Sequence, residues 1–369
     1  MGGTKTYAGT GVNYDLMDPF KRAATTAARE TAGNLRDPYR EYEKSRGESC
    51  YLIEAEGCLL AHVEEGLGTK NLVADAVYRA RPERSYYDHI AQCAVAMIVN
   101  DMVTVGAMPL SVAMHLAVGS SDWFKDERRV SDLIAGWKKA CDLSCCVWGG
   151  GETPTLKGII APETAVIAGS AMGVVRPKTS LISEWRLGNN DVIVLLFSNG
   201  IHANGLTLAR TIAEQHPDGY DARLSDGRTF GASLLDPTHI YVPIVANVLA
   251  AGIDIHYAAN ITGHGWRKLM RHPAPFVYEL DHIPVPHPVF EFIMRQGPVT
   301  EREMYANFNM GAGFALYVSE SDASRVIDIS IRHGIHAIRA GTVRLDGAAK
   351  RVVIPSKDIV FEAEELAVR

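Results

Sequence analysis

Apolar residues along the chain follow two rhythms, one of period two and one near 3.6, and their order lays out the elements. Cys50–Val63 reads as a strand, a turn at Glu56-Gly57 and a second strand. In Asp88–Val99, Ile90, Ala94, Met97 and Ile98 share one helical face. Pro109–Val118 predicts a strand, and Asp126–Cys141 a helix with Val130, Leu133, Ile134 and Trp137 on one side. Cys145–Trp148 and Thr164–Val175 read as strands. After Arg176-Pro177 a second unit begins, with an apolar strand at Val192–Phe197, a Gly/Asn loop and a helix from about Leu206. Further strands are expected at Ile253–Tyr257, Phe314–Val318 and His336–Arg344, and helices at Val289–Arg295 and Asp322–His333. Residues 1–49 show neither rhythm and read as loosely structured, with a polar, charged stretch from Asn34 to Ser49. Strands and helices do not cleanly alternate, which favours α+β over a doubly wound sheet.

Composition narrows the classes. A chain of 369 residues fits two domains at about 100–200 residues each, here 1–175 and 176–369. With 47% hydrophobic and 22% charged residues it can bury ordinary cores. The formal charge of −6 and the lack of a Lys/Arg-rich run argue against nucleic acid as a partner. Neither a secretory leader nor an apolar run near the roughly 20 residues of a membrane span is visible, so a cytoplasmic protein with no membrane partner is expected. Six scattered cysteines, of which only Cys141, Cys145 and Cys146 cluster, read as reduced and structural.

Five polar stretches carry candidate chemistry. In "EEGLGTK", Glu64 and Glu65 precede Gly66, Gly68, Thr69 and Lys70. Carboxylates suit Mg²⁺ with phosphate oxygens, glycines let backbone N–H groups approach an anion, and a lysine offsets charge. A solvated turn fits the same residues, and the P-loop spacing is absent. In "VNDMVTVGAMPL", Asp101 sits where an apolar helix ends, either at a site mouth or satisfying loop amides. "WGGGETPT" reads as a loop in which Gly150, Glu152 and Thr153 face a ligand. "FSNGIHANGLTLAR" places His202 and Asn204 ahead of a helix N-terminus, which favours anions, although a lone loop histidine is more often structural. "ANITGHGW" places Thr262 and Gly263 in another anion-friendly turn.

Taken in order, these strings resemble the aminoimidazole ribonucleotide synthetase family, also called phosphoribosylformylglycinamidine cyclo-ligases. "YAGTGVNYD" is similar to the family's N-terminal segment and "EEGLGTK" to its DGVGTK. "VNDMVTVGAMPL", "GGGETPTLKG", "SNGIHANGLTLAR", "LLDPTHIYV", "AANITGHGW" and "FNMGAGF" resemble its later motifs. The resemblance implies a two-domain α+β fold whose N-terminal domains pair across a homodimer into a barrel, with ATP and a ribonucleotide in the cleft between domains. It implies ATP- and Mg²⁺-dependent ring closure of formylglycinamidine ribonucleotide in purine biosynthesis. Glu65, Asp101 and Glu152 would hold Mg²⁺, and Lys70 would offset charge. His202 and Asn204 would meet the ribonucleotide phosphate or the reacting amide, and Thr262 and Gly263 would line the opposite wall. Gly66, Gly68, Thr69, Gly150 and Thr153 complete the expected nucleotide contacts. Two departures stand out: Glu65 replaces the family's aspartate, and "NLRDPYREYEKSRGESCYL" has one glycine where the family carries a glycine-rich lid. They keep open a paralogue with another substrate, or one that binds nucleotide without turnover.

Overall fold

Two sheets, one in each half of the chain, organise the structure. The computed structural model describes residues 14–183 and 185–366, with side chains from residue 16 onward. The Tyr7–Asn13 part of the first motif lies outside the described residues. The first sheet holds β1 (Arg40–Glu41), β2 (Tyr51–Ala55), β3 (Cys58–Gly66), β4 (Met108–Val118), β5 (Val147–Glu152) and β6 (Ala165–Val175). Its order is β1-β2-β3-β6-β4-β5, with only β4 and β5 parallel. Around it run α1 (Tyr14–Glu30), α2 (Lys70–Ala80), α3 (Tyr87–Val103) and α4 (Glu127–Leu143).

The inward residues of β6, from Ala165 and Ile167 to Ala171 and Val175, pack under α3. Gly169 is required there, because a Cβ would lie 2.4 Å from the Ala113 carbonyl oxygen. Outward, Val166 and Met172 are 48% and 52% exposed, and Val147 is exposed on the edge strand β5. That face carries apolar side chains without a helix over it.

The second sheet holds β7 (Val192–Phe197), β8 (Ile255–Asn260), β9 (Val277–Leu280), β10 (Ala312–Val318), β11 (Ala337–Arg344), β12 (Arg351–Ile354) and β13 (Ile359–Glu362). The order is β13-β12-β9-β11-β7-β10-β8, antiparallel except for β12 with β9. Strands β7 and β10 are both paired on either side, and their unbroken apolar runs reflect burial on both faces. Helices α5 (Leu206–Gln215), α6 (Phe230–Leu234), α7 (Val242–Ala250), α8 (Pro288–Gln296), α9 (Glu301–Asn307) and α10 (Glu320–Arg332) complete this half.

Helix α3 joins the halves. It is apolar almost all round, the mark of a helix covered on all sides. Its few polar groups grip the segment ahead of α7. Gln92 Nε2 donates to the Thr238 carbonyl at 3.0 Å, and Asn100 Nδ2 to the His239 carbonyl at 2.8 Å. Asn100 Oδ1 accepts from the Tyr241 N–H at 2.9 Å. Cys93 Sγ accepts from the Thr238 N–H and hydroxyl, both at 3.3 Å.

The α+β class holds, and three local expectations change. Residues 14–30 form a helix rather than a loose segment. Its apolar Leu16, Met17 and Phe20 are exposed, so no core-facing stripe marks it, while the run KRAATTAARE has good intrinsic helix propensity. The stretch from Asn34 to Ser49 contributes the short edge strand β1 and a strap held by Ser45, whose Oγ accepts from the Leu52 N–H at 3.0 Å. The three glycines of "WGGGE" lie in β5 rather than in a loop. Neighbouring β4 comes so close that a Cβ on Gly151 would sit 2.0 Å from the Met114 carbonyl oxygen. Among the described residues no helix is long and apolar enough to cross a membrane.

Candidate active site

A cavity of about 360 Å³ opens between the two halves, and residues from both line it. Glu65 enters at the end of β3, on the strand face shared by Leu59, Ala61 and Val63. Asp101 enters near the C-terminus of α3, and its Oδ1 accepts from Asn260 Nδ2 at 2.7 Å. From the second half come Asn204, Thr262 and Gly263. Thus five of the residues singled out by sequence meet in one place.

The electrostatics there are mixed. Burial first, then the negative charge of Asp101, pushes the Glu65 carboxyl up to about 7, and Lys268 works against that shift. Burial holds the Lys268 ammonium below the usual lysine range, with Asp101 and Glu65 opposing. Lys268 Nζ donates to Thr262 Oγ1. Arg271 closes one side by donating to the Gly47 carbonyl at 3.0 and 2.8 Å and to Ser49 Oγ at 2.7 Å. The Tyr257 hydroxyl donates to Glu48 Oε2 at 3.0 Å, so the strap before β2 is tied to the second half. Lys21 of α1 also reaches the cavity. Sequence reasoning missed Lys21, Glu48, Lys268 and Arg271. The visible signal was the basic run "WRKLMR" directly after "TGHG".

The other expected residues take different positions. Lys70 is fully buried, and its ammonium donates to the carbonyls of His202 at 2.7 Å and Asp236 at 2.6 Å. It was expected to offset ligand charge; here it clamps two loops of the second half to the start of α2. His202 is buried with φ 59°, and its Nε2 lies 3.1 Å from Asn199 Oδ1. Burial first, then the neighbouring His239, Lys70 and His287, holds its imidazole well below the ordinary histidine range. Gly66 ends β3, and Gly68, at φ +74°, turns the chain into α2. Thr69 Oγ1 lies 3.5 Å from Thr207 Oγ1 across the seam.

Gly150, Glu152 and Thr153 line a separate hollow of about 310 Å³ beside Met114 and Trp148 on the open edge. One chain therefore does not bring Glu152 to Glu65 and Asp101, because β5 sits three strands from β3. Among the described residues no cluster of three His, Cys, Asp or Glu side chains could hold a metal. A pair of carboxylates still fits Mg²⁺, which takes one or two acids and completes its shell with phosphate oxygens and water.

The glycine- and asparagine-rich motifs around the cavity are largely architectural. Asn309 Oδ1 accepts from Ser198 Oγ at 2.8 Å and from the Gly311 N–H at 3.0 Å, while its Nδ2 donates to the Gly200 carbonyl at 2.9 Å. This knot fixes the loop that leads to Asn204. Gly205, at φ +81°, caps α5 under the Phe308 ring, where a Cβ would come within 2.0 Å.

Comparison with known proteins agrees with this architecture. Residues 47–175 match the family described as AIR synthase related protein, N-terminal domain, and residues 188–354 its C-terminal domain. A phosphoribosylformylglycinamidine cyclo-ligase of Methanococcus maripaludis is 31% identical over 354 residues, covering 95% of this chain and 96% of that protein. One from Methanocaldococcus jannaschii is 36% identical over 281 residues, 76% of each chain. Among solved structures, a HypE–HypF complex gives a TM-score of 0.60 at 14% identity, covering 91% of this chain and 98% of that one. ThiL complexed with AMPPCP and TMP gives 0.55 at 13% identity, covering 85% and 89%. At these identities the solved structures speak for the fold alone.

Proposed function

This chain belongs to the AIR synthase-related family, and on that footing we propose that it closes the imidazole ring of formylglycinamidine ribonucleotide at the expense of ATP. The products are aminoimidazole ribonucleotide, ADP and phosphate. The observation that carries this reading is one cavity joining Glu65 and Asp101 to Asn204, Thr262 and Gly263, in a chain that parallels a cyclo-ligase over 95% of its length.

An amide oxygen is a poor leaving group, so ATP first phosphorylates it. The amidine nitrogen then attacks the activated carbon and phosphate departs. Such transfers depend mainly on positioning and charge neutralisation. Glu65 and Asp101 are the residues that would hold Mg²⁺, which when bound neutralises charge on the triphosphate. Asn260 orients Asp101 through its hydrogen bond. The Asn204 amide and Thr262 hydroxyl provide donors toward the substrate's amide oxygen or phosphate. Lys70 and His202 act one layer back by fixing the loop that carries Asn204.

The proposal includes a homodimer, supported by the uncovered apolar face at Val166 and Met172 and the open edge strand β5. Residues 1–175 would bind ATP and dimerise, and 176–369 would complete the cleft, in the cytoplasm. Glu152, with Gly150 and Thr153, stays in this reading through the dimer, because their hollow lies on the edge a second chain would meet. The test is incubation with formylglycinamidine ribonucleotide, MgATP and potassium salt, following ADP and product together. Equal amounts of ADP and aminoimidazole ribonucleotide are expected. ADP without the aminoimidazole, or neither, overturns the cyclo-ligase reading in favour of a paralogue with another substrate.

A further inference from the structure

The cavity carries its own counter-charges. Glu48, Glu65 and Asp101 face Lys21, Lys268 and Arg271. The cations are not equally committed. Arg271 uses its guanidinium on Gly47 and Ser49, with the Glu48 carboxylate 3.9 Å away. Lys21 pairs with Asp18 at 3.1 Å. Lys268 makes one hydrogen bond among the described residues, to Thr262 Oγ1, although an ammonium has three protons to donate. Asp101 and Glu65 act on this ammonium only through space, with no ion pair to it among the described residues, so two of its protons are left for a ligand. Other cations stand on the same wall: burial and then the charges of Arg267, Lys268, Lys21 and Arg271 push the His264 imidazole down to about 3.

We propose that Lys268 anchors a phosphate group of the ligand on the wall formed by the second half, facing the Glu65–Asp101 pair on the wall formed by the first. Phosphate and divalent cation then enter as a pair. The cation alone meets the ammonium, the phosphate alone meets two carboxylates, and each relieves the repulsion felt by the other. Such coupling is reciprocal: each raises the affinity of the other by the same factor. The inference rests on the cavity being the reaction site, and it adds a residue that the sequence motifs do not mark.

The test is calorimetric titration of the full-length protein with MgCl₂ alone, with sodium tripolyphosphate alone, and with both. In Lys268→Met, tripolyphosphate affinity should fall about tenfold, while Mg²⁺ alone should bind about threefold more tightly, as expected for removing one nearby charge. Lys268→Arg should restore both toward wild type. Opposite signs cannot come from a loosened fold, which would weaken both. Parallel losses, unchanged affinities, or wild-type protein that ignores tripolyphosphate each overturn the proposal. The opposite-sign pattern in a protein that forms no aminoimidazole product would sink the cyclo-ligase reading and leave this one standing. Product formation with unchanged Lys268→Met affinities would do the reverse.

Discussion

His202 separates what a residue type promises from what its surroundings permit. A loop histidine before a helix can bind an anion or move a proton, but this ring is buried against Asn199 and held neutral. Its folded pKa lies below the unfolded value of about 6.5. Below about pH 6.5 the unfolded chain therefore takes up a proton that the folded chain refuses, and stability from this group falls as pH falls. His202→Asn removes that linkage and keeps a polar side chain. The wild type should lose more stability than His202→Asn between pH 6.5 and 5, by up to about 1.4 kcal/mol per pH unit, in urea unfolding at each pH. Parallel losses would mean that the ring is protonated in the folded state. The kcat–pH profile should show no limb from His202, and His202→Asn should change kcat less than about tenfold, below the usual cost of losing a general base.

At the scale of elements, Gly205 tests whether the motif glycines serve ligand or fold. Gly205→Ala must adopt φ +81° and place a Cβ 2.0 Å from the Phe308 ring. A loss of about 2–4 kcal/mol is expected by chemical denaturation, from the sum of backbone strain and overpacking. A near-neutral variant would show that the loop relaxes and that the glycine serves something else. The same distinction explains what the sequence revealed. Strands β6, β7 and β10 and helices α3, α4 and α10 were legible because a continuous or periodic apolar pattern answers to burial. Helix α1 was not, because Leu16 and Phe20 face away from the core, and β5 was legible only at its start, read at Cys145–Trp148, because the glycines that extend it to Glu152 answer to the approach of β4. Within the site, Glu65, Asp101, Asn204, Thr262 and Gly263 stood out by motif. Lys268 and Arg271 did not, since only the fold reveals that a basic run turns inward onto a cavity.

For the whole molecule, the first sheet raises the question of its bare face. Val166 and Met172 lie on one face of β6 near its two ends, exposed to roughly half their area, and β4 separates that strand from the edge strand β5, where Val147 is also open. A second copy of the chain would cover that surface by a two-fold arrangement. Light scattering at micromolar concentration should give twice the mass of one chain, and Met172→Glu should shift the population toward monomer, since it sets like charges opposite each other in the interface. Wild-type protein that stays a monomer with full activity would refute the dimer.

The seam along α3 has a consequence for how the protein comes apart. Asn100 serves the second half through both ends of its amide, and Cys93 and Gln92 add bonds to the same segment. Pulling the halves apart would strand these groups in an apolar surface, where a lost partner costs about 1–3 kcal/mol each. Neither half then has a comfortable existence without the other. The chain behaves less like two beads on a string than like a zipped garment, melting in a single step. A cut near residue 176 should yield two fragments that are sticky when made separately and that reassemble when made together.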